Sequence, residues 1–286
     1  IKAHPFSDRT LVGPEVVGLI FDKQTLRTQV SFSAAIAHLG GFPMIVDGNL
    51  AQVGVRESIA DVARVMGRES VAIVWRTSGQ DRIEEMAANS TVPVVNALTD
   101  QFHPCQILAD LQTIKEHKGT LAGLTFAYLG DAGNNMANSY AIGMAMAGMH
   151  VRIAGPGGHQ PAPEIVARAK ELAASTGGSV TVTGDGAQAA KDADVVVTDT
   201  WVSMGMEAEK AQRRGEGNPF ASFQVNVAIM GLAKPDAIFM HCLPAYRGFE
   251  VSASVIDGPA SVVFDEAENR LHAQKALLAF LVEAGR

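Results

Sequence analysis

The sequence predicts an α/β protein of two doubly wound parallel-sheet domains joined by a helical linker, with a C-terminal helix packing back on the first domain. Three observations predict it. Short apolar runs alternate with helix-like segments from end to end, the pattern of βα units rather than of a sandwich or a bundle. Each run is a few apolar or β-branched residues closed by polar or turn residues. The chain has 286 residues, which at roughly 150 residues per domain suggests about two compact units.

In chain order, strands are expected at Val16–Phe21, Met44–Asp47, Val71–Arg76 and Val92–Asn96. Helices are expected between them at Ser31–Leu39, stopped by Gly40-Gly41, then at Glu57–Met66 and Arg82–Asn89, where apolar residues recur at three- and four-residue spacing. Gln106–Lys118 reads as a helical linker followed by Gly119. The second set of strands is Thr125–Leu129, His150–Ala154, Ser179–Thr183, Val195–Asp199, Ala237–His241 and Ser261–Phe264, with helices such as Glu164–Ser175 between them. An amphipathic helix over Glu266–Gly285 closes the chain. These elements set the expected domains: residues 1–115 plus 266–286, and residues 116–265, with the seam where each set of strands is complete. Gly155–Pro163 and Arg213–Pro219 are rich in loop formers, and the second follows a candidate site, as a lid would.

Composition removes several function classes. Hydrophobic residues make up 47% and charged residues 19% of the chain, so it can bury real cores and is neither disordered nor fibrous. The net charge is −7, with no basic block to track a phosphate backbone, so nucleic acid is not an expected partner. No run of about 18 apolar residues could span a bilayer, and residues 1–10 lack a basic, then apolar, leader; a cytoplasmic location is the default expectation. Cys105 and Cys242 stand alone without metal spacing, so neither a disulfide framework nor a metal site is expected. The chain begins at Ile1, and some preceding sequence is expected.

Several constellations fall at the C-terminal ends of expected strands, where open α/β sheets bind ligands. After the first strand, Thr25-Leu26-Arg27-Thr28-Gln29 opens a helix, and its hydroxyls, arginine and free amides could converge on an anion; the same residue types also cap helices that bind nothing. Arg76, in Trp75-Arg76-Thr77, could add charge. His103 and Gln106 project from the first turn of a helix at His103-Pro104-Cys105-Gln106, although a histidine there is also an ordinary cap. Gly130-Asp131-Ala132-Gly133 looks like a dinucleotide turn but lacks the third glycine and the acidic residue that should close the next strand. The adjoining Asn134 and Asn135 offer amides instead. Asp199, at the end of its strand, could bind an ammonium. His241-Cys242-Leu243-Pro244 ends another strand, and Cys242 could equally be an inert thiol.

Taken in order, Phe-Asp-Lys…Thr-x-Arg-Thr, Trp-Arg-Thr, His-Pro-x-Gln, Gly-Asp-x-x-Asn-Asn-Met, Asp-x-Trp-x-Ser-Met-Gly, His-Cys-Leu-Pro and Glu-Asn-Arg-x-His-x-Gln resemble the ornithine carbamoyltransferases over essentially the whole chain. The resemblance implies transfer of the carbamoyl group of carbamoyl phosphate to the δ-amine of L-ornithine, giving citrulline and phosphate in arginine metabolism, with no metal or organic cofactor. It implies a carbamoyl-phosphate site of Thr25, Leu26, Arg27, Thr28, Arg76, His103, Gln106 and Arg270. It also implies a homotrimer in which Gln52 reaches a neighbouring subunit's site. On the acceptor side it implies Asn135, Asp199, Ser203, Met204, Cys242 and Leu243 as the ornithine-binding residues. Catalysis then rests on Cys242, Asp199, His103 and Arg76.

The donor loop departs from the family pattern. Where the family reads Ser-Thr-Arg-Thr-Arg this chain has Thr25-Leu26-Arg27-Thr28-Gln29, and Phe-Glu becomes Phe32-Ser33, so one hydroxyl, one arginine and its acidic partner are lost together. Most of the family's N-terminal helix is also missing from the sequence. The altered loop leaves two alternatives: a paralogous carbamoyltransferase with a changed donor site, resistant to an inhibitor or using another amine or donor, and a non-catalytic homologue that keeps the pockets.

Overall fold

Val16–Phe21 form β1, a run of six apolar residues that is buried from Val17 onward. Only a strand covered on both faces tolerates such a run. The computed structural model covers Ile1–Arg286 and describes every residue except Gln24, Met204 and Gly205, with Glu207 described by its backbone alone. Phe42–Asp47 form β2, Ala72–Arg76 β3 and Val94–Leu98 β4; all pair in parallel in the order β2-β1-β3-β4. Pro43 is tolerated because β2 is an edge strand. On one face Leu19 and Phe21 pack with Phe32, Ile36, Leu278 and Val282. On the other, Ile20, Ile73 and Trp75 pack with Ile59, Met66 and Ile83. The alternation along β1 thus serves two helical layers.

Thr125–Leu129 form β5, His150–Ala154 β6, Ser179–Thr183 β7, Val195–Thr198 β8 and Ile238–Met240 β9. This sheet is also all parallel, ordered β7-β6-β5-β8-β9. One core cluster joins Leu129, Val196 and Phe239 to Phe223, Val225 and Val255. The turn after β5 needs glycine: Gly130 has φ +142°, and a Cβ on Gly155, which follows β6, would meet the Gly130 carbonyl oxygen at 2.7 Å.

The chain divides into two compact units, Ile1–Ala109 with Glu268–Arg286, and Asp110–Ala267. The first boundary lies inside the helix Pro104–Lys118 and the second inside the helix Val263–Ala284. Among the described residues no helix is long and apolar enough to cross a membrane.

The structure corrects two expectations. Ser261–Phe264 is not a strand: Ser261 makes a single bridge to Phe239, and the last helix already starts at Val263. Asp265 and Glu266 in its first turn suit the positive end of a helix dipole, which outweighs the β-branched run before them. The first helix spans Arg27–His38 rather than starting at Ser31, so Arg27 and Thr28 belong to its first turn and not to a loop.

Candidate active site

Each sheet reverses its strand order once, and within each unit candidate residues lie near that reversal. In the first unit the reversal lies between β1 and β3, where the crevice of a doubly wound sheet opens. Helix Arg27–His38 starts just beyond β1, and Arg76 is the last residue of β3, in register with Phe21. Val30 N–H takes the Leu26 carbonyl at 3.0 Å, so the amides of residues 27–29 lie in the first turn of the helix, the end that suits an anion. Leu26, the N-cap, makes no side-chain cap and is 73% exposed. It contributes backbone here.

Thr28 is the hub of a buried cluster. Its Oγ1 accepts from Arg76 Nη1 at 3.3 Å and from Arg270 Nη2 at 3.2 Å, while Arg270 Nη1 donates to Gln106 Oε1 at 2.7 Å. Thr28, Arg76, His103, Gln106 and Arg270 are all buried. With its amide turned to satisfy its neighbours, Gln274 accepts from Arg270 at 2.9 and 3.0 Å and donates to Ser31 Oγ at 2.7 Å, which fixes the plane of the guanidinium. Burial pushes the His103 imidazole well below its ordinary pKa, and the charges of Arg270, Arg76 and Arg27 push it further. The ring is therefore neutral at pH 7 and offers one N–H to a developing negative charge. Gln52 stands on another segment, as the left-handed C-cap of the short helix Gly48–Ala51.

In the second unit the reversal lies between β5 and β8. Asn134 caps the helix Asn135–Met146 through Ala137 N–H at 2.8 Å. Its Nδ2 donates to Asp199 Oδ2 at 3.1 Å. Asp199, just past β8, also accepts from Thr200 N–H at 2.7 Å and from Cys242 Sγ at 3.3 Å. Burial raises the Asp199 pKa, opposed first by nearby His241. Burial also raises the Cys242 thiol well above its usual range, and the Asp199 charge raises it further, so Cys242 is a neutral donor to a carboxylate.

The turn carrying Cys242 is held from behind. His241 N–H donates to Glu266 Oε2 at 2.8 Å, and Leu243, at φ +54°, donates its N–H to His241 Nδ1 at 2.9 Å. An imidazole that accepts at Nδ1 carries its proton at Nε2 when neutral, and Nε2 faces Glu250 Oε1 at 3.5 Å with both side chains fully buried. Asp199, His241 and Cys242 each offer a ligand atom within 4.8 Å of the others, the one such group among the described residues. Cys242 and Asp199 already bond to each other, and Asp199 and His241 Nδ1 each accept from a backbone N–H.

Residues 2–116 match the profile described as the aspartate/ornithine carbamoyltransferase carbamoyl-P binding domain, and residues 122–281 match that of the Asp/Orn binding domain. The chain belongs to the aspartate/ornithine carbamoyltransferase family. It is 61% identical over 291 residues to an ornithine carbamoyltransferase of Bifidobacterium longum subsp. infantis, covering 100% of this chain and 90% of that protein. It is 57% identical over 282 residues to one of Clavibacter sepedonicus, covering 99% and 91%. Among solved structures, the ornithine carbamoyltransferase from Pyrococcus furiosus matches 96% of this chain and 87% of its own, at TM-score 0.92 and 47% identity.

Within this carbamoyltransferase chain, the structure brings Thr28, Arg76, Gln106 and Arg270 together by hydrogen bonds, and Asp199 with Cys242. Asn135 is the first residue of its helix, and the amide that reaches Asp199 belongs to Asn134. Ser203 is half-buried, and Met204 lies outside the described residues. Sequence reasoning gave no role to Gln274, although it closes the Glu-Asn-Arg-x-His-x-Gln motif, and missed Glu250 and the pairing of Asp131 with Arg213. Gln274 follows Arg270 by one helical turn, a spacing that could have found it. Arg213 could not be found that way. It lies in the segment expected as a lid, on the short helix Lys210–Arg214, and donates to Asp131 Oδ2 at 2.5 Å, to Trp201 O at 3.0 Å and to Glu209 Oε2 at 2.6 Å.

Two predictions arise here. Arg213→Ala leaves the Asp131 carboxylate buried without its guanidinium, so urea unfolding should show a loss of about 3 kcal/mol. The exposed pair Arg247–Asp257 should lose far less when Arg247 becomes alanine, because solvent screens it; equal losses would show that burial does not govern the Asp131 pair. The second prediction concerns pH. His103 has a folded pKa below its unfolded value, so below about pH 6.5 the unfolded chain takes up a proton that the folded chain refuses. Stability falls as pH falls. His103→Gln should flatten the loss between pH 7 and 5.5 by up to about 1.4 kcal/mol per pH unit, read by urea denaturation; parallel pH profiles would refute a neutral buried His103.

Proposed function

We propose that this carbamoyltransferase moves the carbamoyl group of carbamoyl phosphate to the δ-amine of L-ornithine, releasing L-citrulline and phosphate, as a cytoplasmic homotrimer. The observation that carries the reading is the convergence of Arg76 and Arg270 on one buried threonine at a helix start. In this reading Arg27, Arg76 and the amides at Thr25–Thr28 hold the phosphate dianion, with Gln52 of a neighbouring subunit completing the site. Gln106 and Arg270 hold the carbamoyl group. As the amine attacks, charge moves onto the carbonyl oxygen, where the neutral His103 N–H and the guanidiniums stabilise it, at about 3 kcal/mol per well-placed donor. Breakdown of the tetrahedral intermediate breaks the carbon–oxygen bond to phosphate, and the departing phosphate takes the proton that the attacking nitrogen gives up.

On the acceptor side, the Asp199 carboxylate receives the amino acid's ammonium, with Asn135, Ser203 and Met204 around it, and Cys242 and Leu243 line the path of the reacting amine. The thiol is a donor rather than a thiolate base, because burial and Asp199 both hold its proton. Closure of the segment 205–219, anchored through Arg213, would exclude water. The test is citrulline formation by the purified protein with the donor titrated over several decades. Saturable turnover at low donor concentration supports an ordinary donor site; no turnover by folded protein would move the reading to another donor or amine, or to a non-catalytic homologue.

A further inference from the structure

One polar network in the first unit lies beside the donor cluster and is absorbed by none of the roles above. Asp22, the residue after β1, accepts from Trp75 Nε1 at 3.1 Å, from Thr77 Oγ1 at 2.7 Å and from Arg82 Nη2 at 3.3 Å. Trp75 and Thr77 flank Arg76, so this carboxylate holds the side chains on both sides of a residue of the donor cluster. Asp22 N–H also takes the Arg76 carbonyl at 3.0 Å. Arg82 carries the network further. Its Nε donates to Thr77 Oγ1 at 2.9 Å, its Nη2 donates to Val53 O at 2.7 Å, and its guanidinium lies 5.1 Å from the centre of the Trp75 ring.

Val53 follows Gln52, which has left-handed backbone at φ +52°. A non-glycine residue holds that conformation only where its surroundings impose it. Those surroundings are on view: the Gln52 carbonyl accepts from Val55 and Arg56 N–H at 2.9 and 3.0 Å. A Cβ on Gly54, at φ +78°, would meet Arg82 Nη1 at 2.9 Å. Three planar donors of one guanidinium therefore fit against the 52–54 turn and the end of β3 at once, a match that a lysine point charge cannot reproduce.

We propose that Arg82 is a positioning residue of the donor site, setting the backbone of the turn that presents Gln52 to a neighbouring subunit. This rests on the carbamoyl-transfer reading and its trimer. Arg82 touches no substrate. Its effect passes through Val53 to Gln52, and so falls on the neighbour's site rather than its own.

The experiment uses the full-length protein. Arg82→Ala should raise the KM for carbamoyl phosphate about tenfold, the effect of losing a charged hydrogen bond, while the KM for ornithine stays within about twofold. Arg82→Lys should recover only part of the loss. Coexpression with Arg76→Ala subunits separates positioning from general damage. Assayed at a donor concentration well below KM, an Arg82→Ala subunit in a mixed trimer keeps its own pocket and borrows an intact turn from an Arg76→Ala neighbour, so activity per subunit should rise about two- to threefold above the Arg82→Ala parent, the scale set by restoring a quarter of the sites from a tenfold defect. No rise, or an unchanged carbamoyl-phosphate KM in Arg82→Lys, would overturn the proposal. Arg82→Lys decides the matter if the alanine variant does not fold. A wild-type protein without citrulline formation would instead overturn the functional reading, which the wild-type control reports separately.

Discussion

Arg76→Ala is expected to lower kcat/KM for carbamoyl phosphate by about 10³, the scale of losing one preorganised donor to a developing oxyanion. Arg76 is 4% exposed and shares the Thr28 hydroxyl with Arg270, so no neighbouring side chain can swing in to replace it without leaving its own partners. Arg76→Lys should recover no more than about tenfold, since an ammonium keeps the charge but not the fork. The substitution has a second signature. Arg76 is one of the charges that hold the His103 pKa down, behind burial and Arg270, so its removal should move the His103 titration up toward the ordinary histidine value, as read by NMR of the imidazole. Steady-state kinetics within tenfold of wild type on a folded variant would remove Arg76 from the donor site.

Asp199→Asn should act on the other substrate. The expected loss in kcat/KM for ornithine is about 10² to 10³, because the buried carboxylate proposed to receive the ammonium is replaced by a neutral amide that cannot. The KM for carbamoyl phosphate should stay within about twofold, since the donor cluster belongs to the other unit. Cys242 reports the same change independently. The Asp199 charge is the second cause of its raised pKa, after burial. Removing that charge brings the pKa down, so more thiolate is present at pH 8 and alkylation by iodoacetamide should be faster than in wild type. Slower or equal alkylation would mean that the carboxylate does not hold the thiol proton.

Much of this was legible in the residues. Five strands of the second sheet were expected within one residue of their ends, because buried parallel strands are uninterrupted apolar runs between turn residues. The positions beyond β1, β3, β8 and β9 could be named as candidates, because a doubly wound sheet has one productive edge. Where reading failed, two local signals competed. Ser261–Phe264 has strand composition, yet it enters a helix whose first turn is acidic. Thr28 reads as a loop residue but is helical, since no local cap marks where that helix begins.

Sequence alone determined the fold class and the family and named candidate residues in each unit, because periodicity and motif order are properties of the chain itself. Tertiary structure decided which groups meet. Arg270 reaches Gln106 and Thr28 across 164 and 242 positions, Arg213 reaches Asp131 across 82, and Arg82 reaches Asp22 across 60. No spacing rule extends so far. The protonation of His103 and Cys242 was likewise undecided until their burial and their charged neighbours were known, because a pKa is set by the surrounding dielectric and field rather than by the residue's own chemistry.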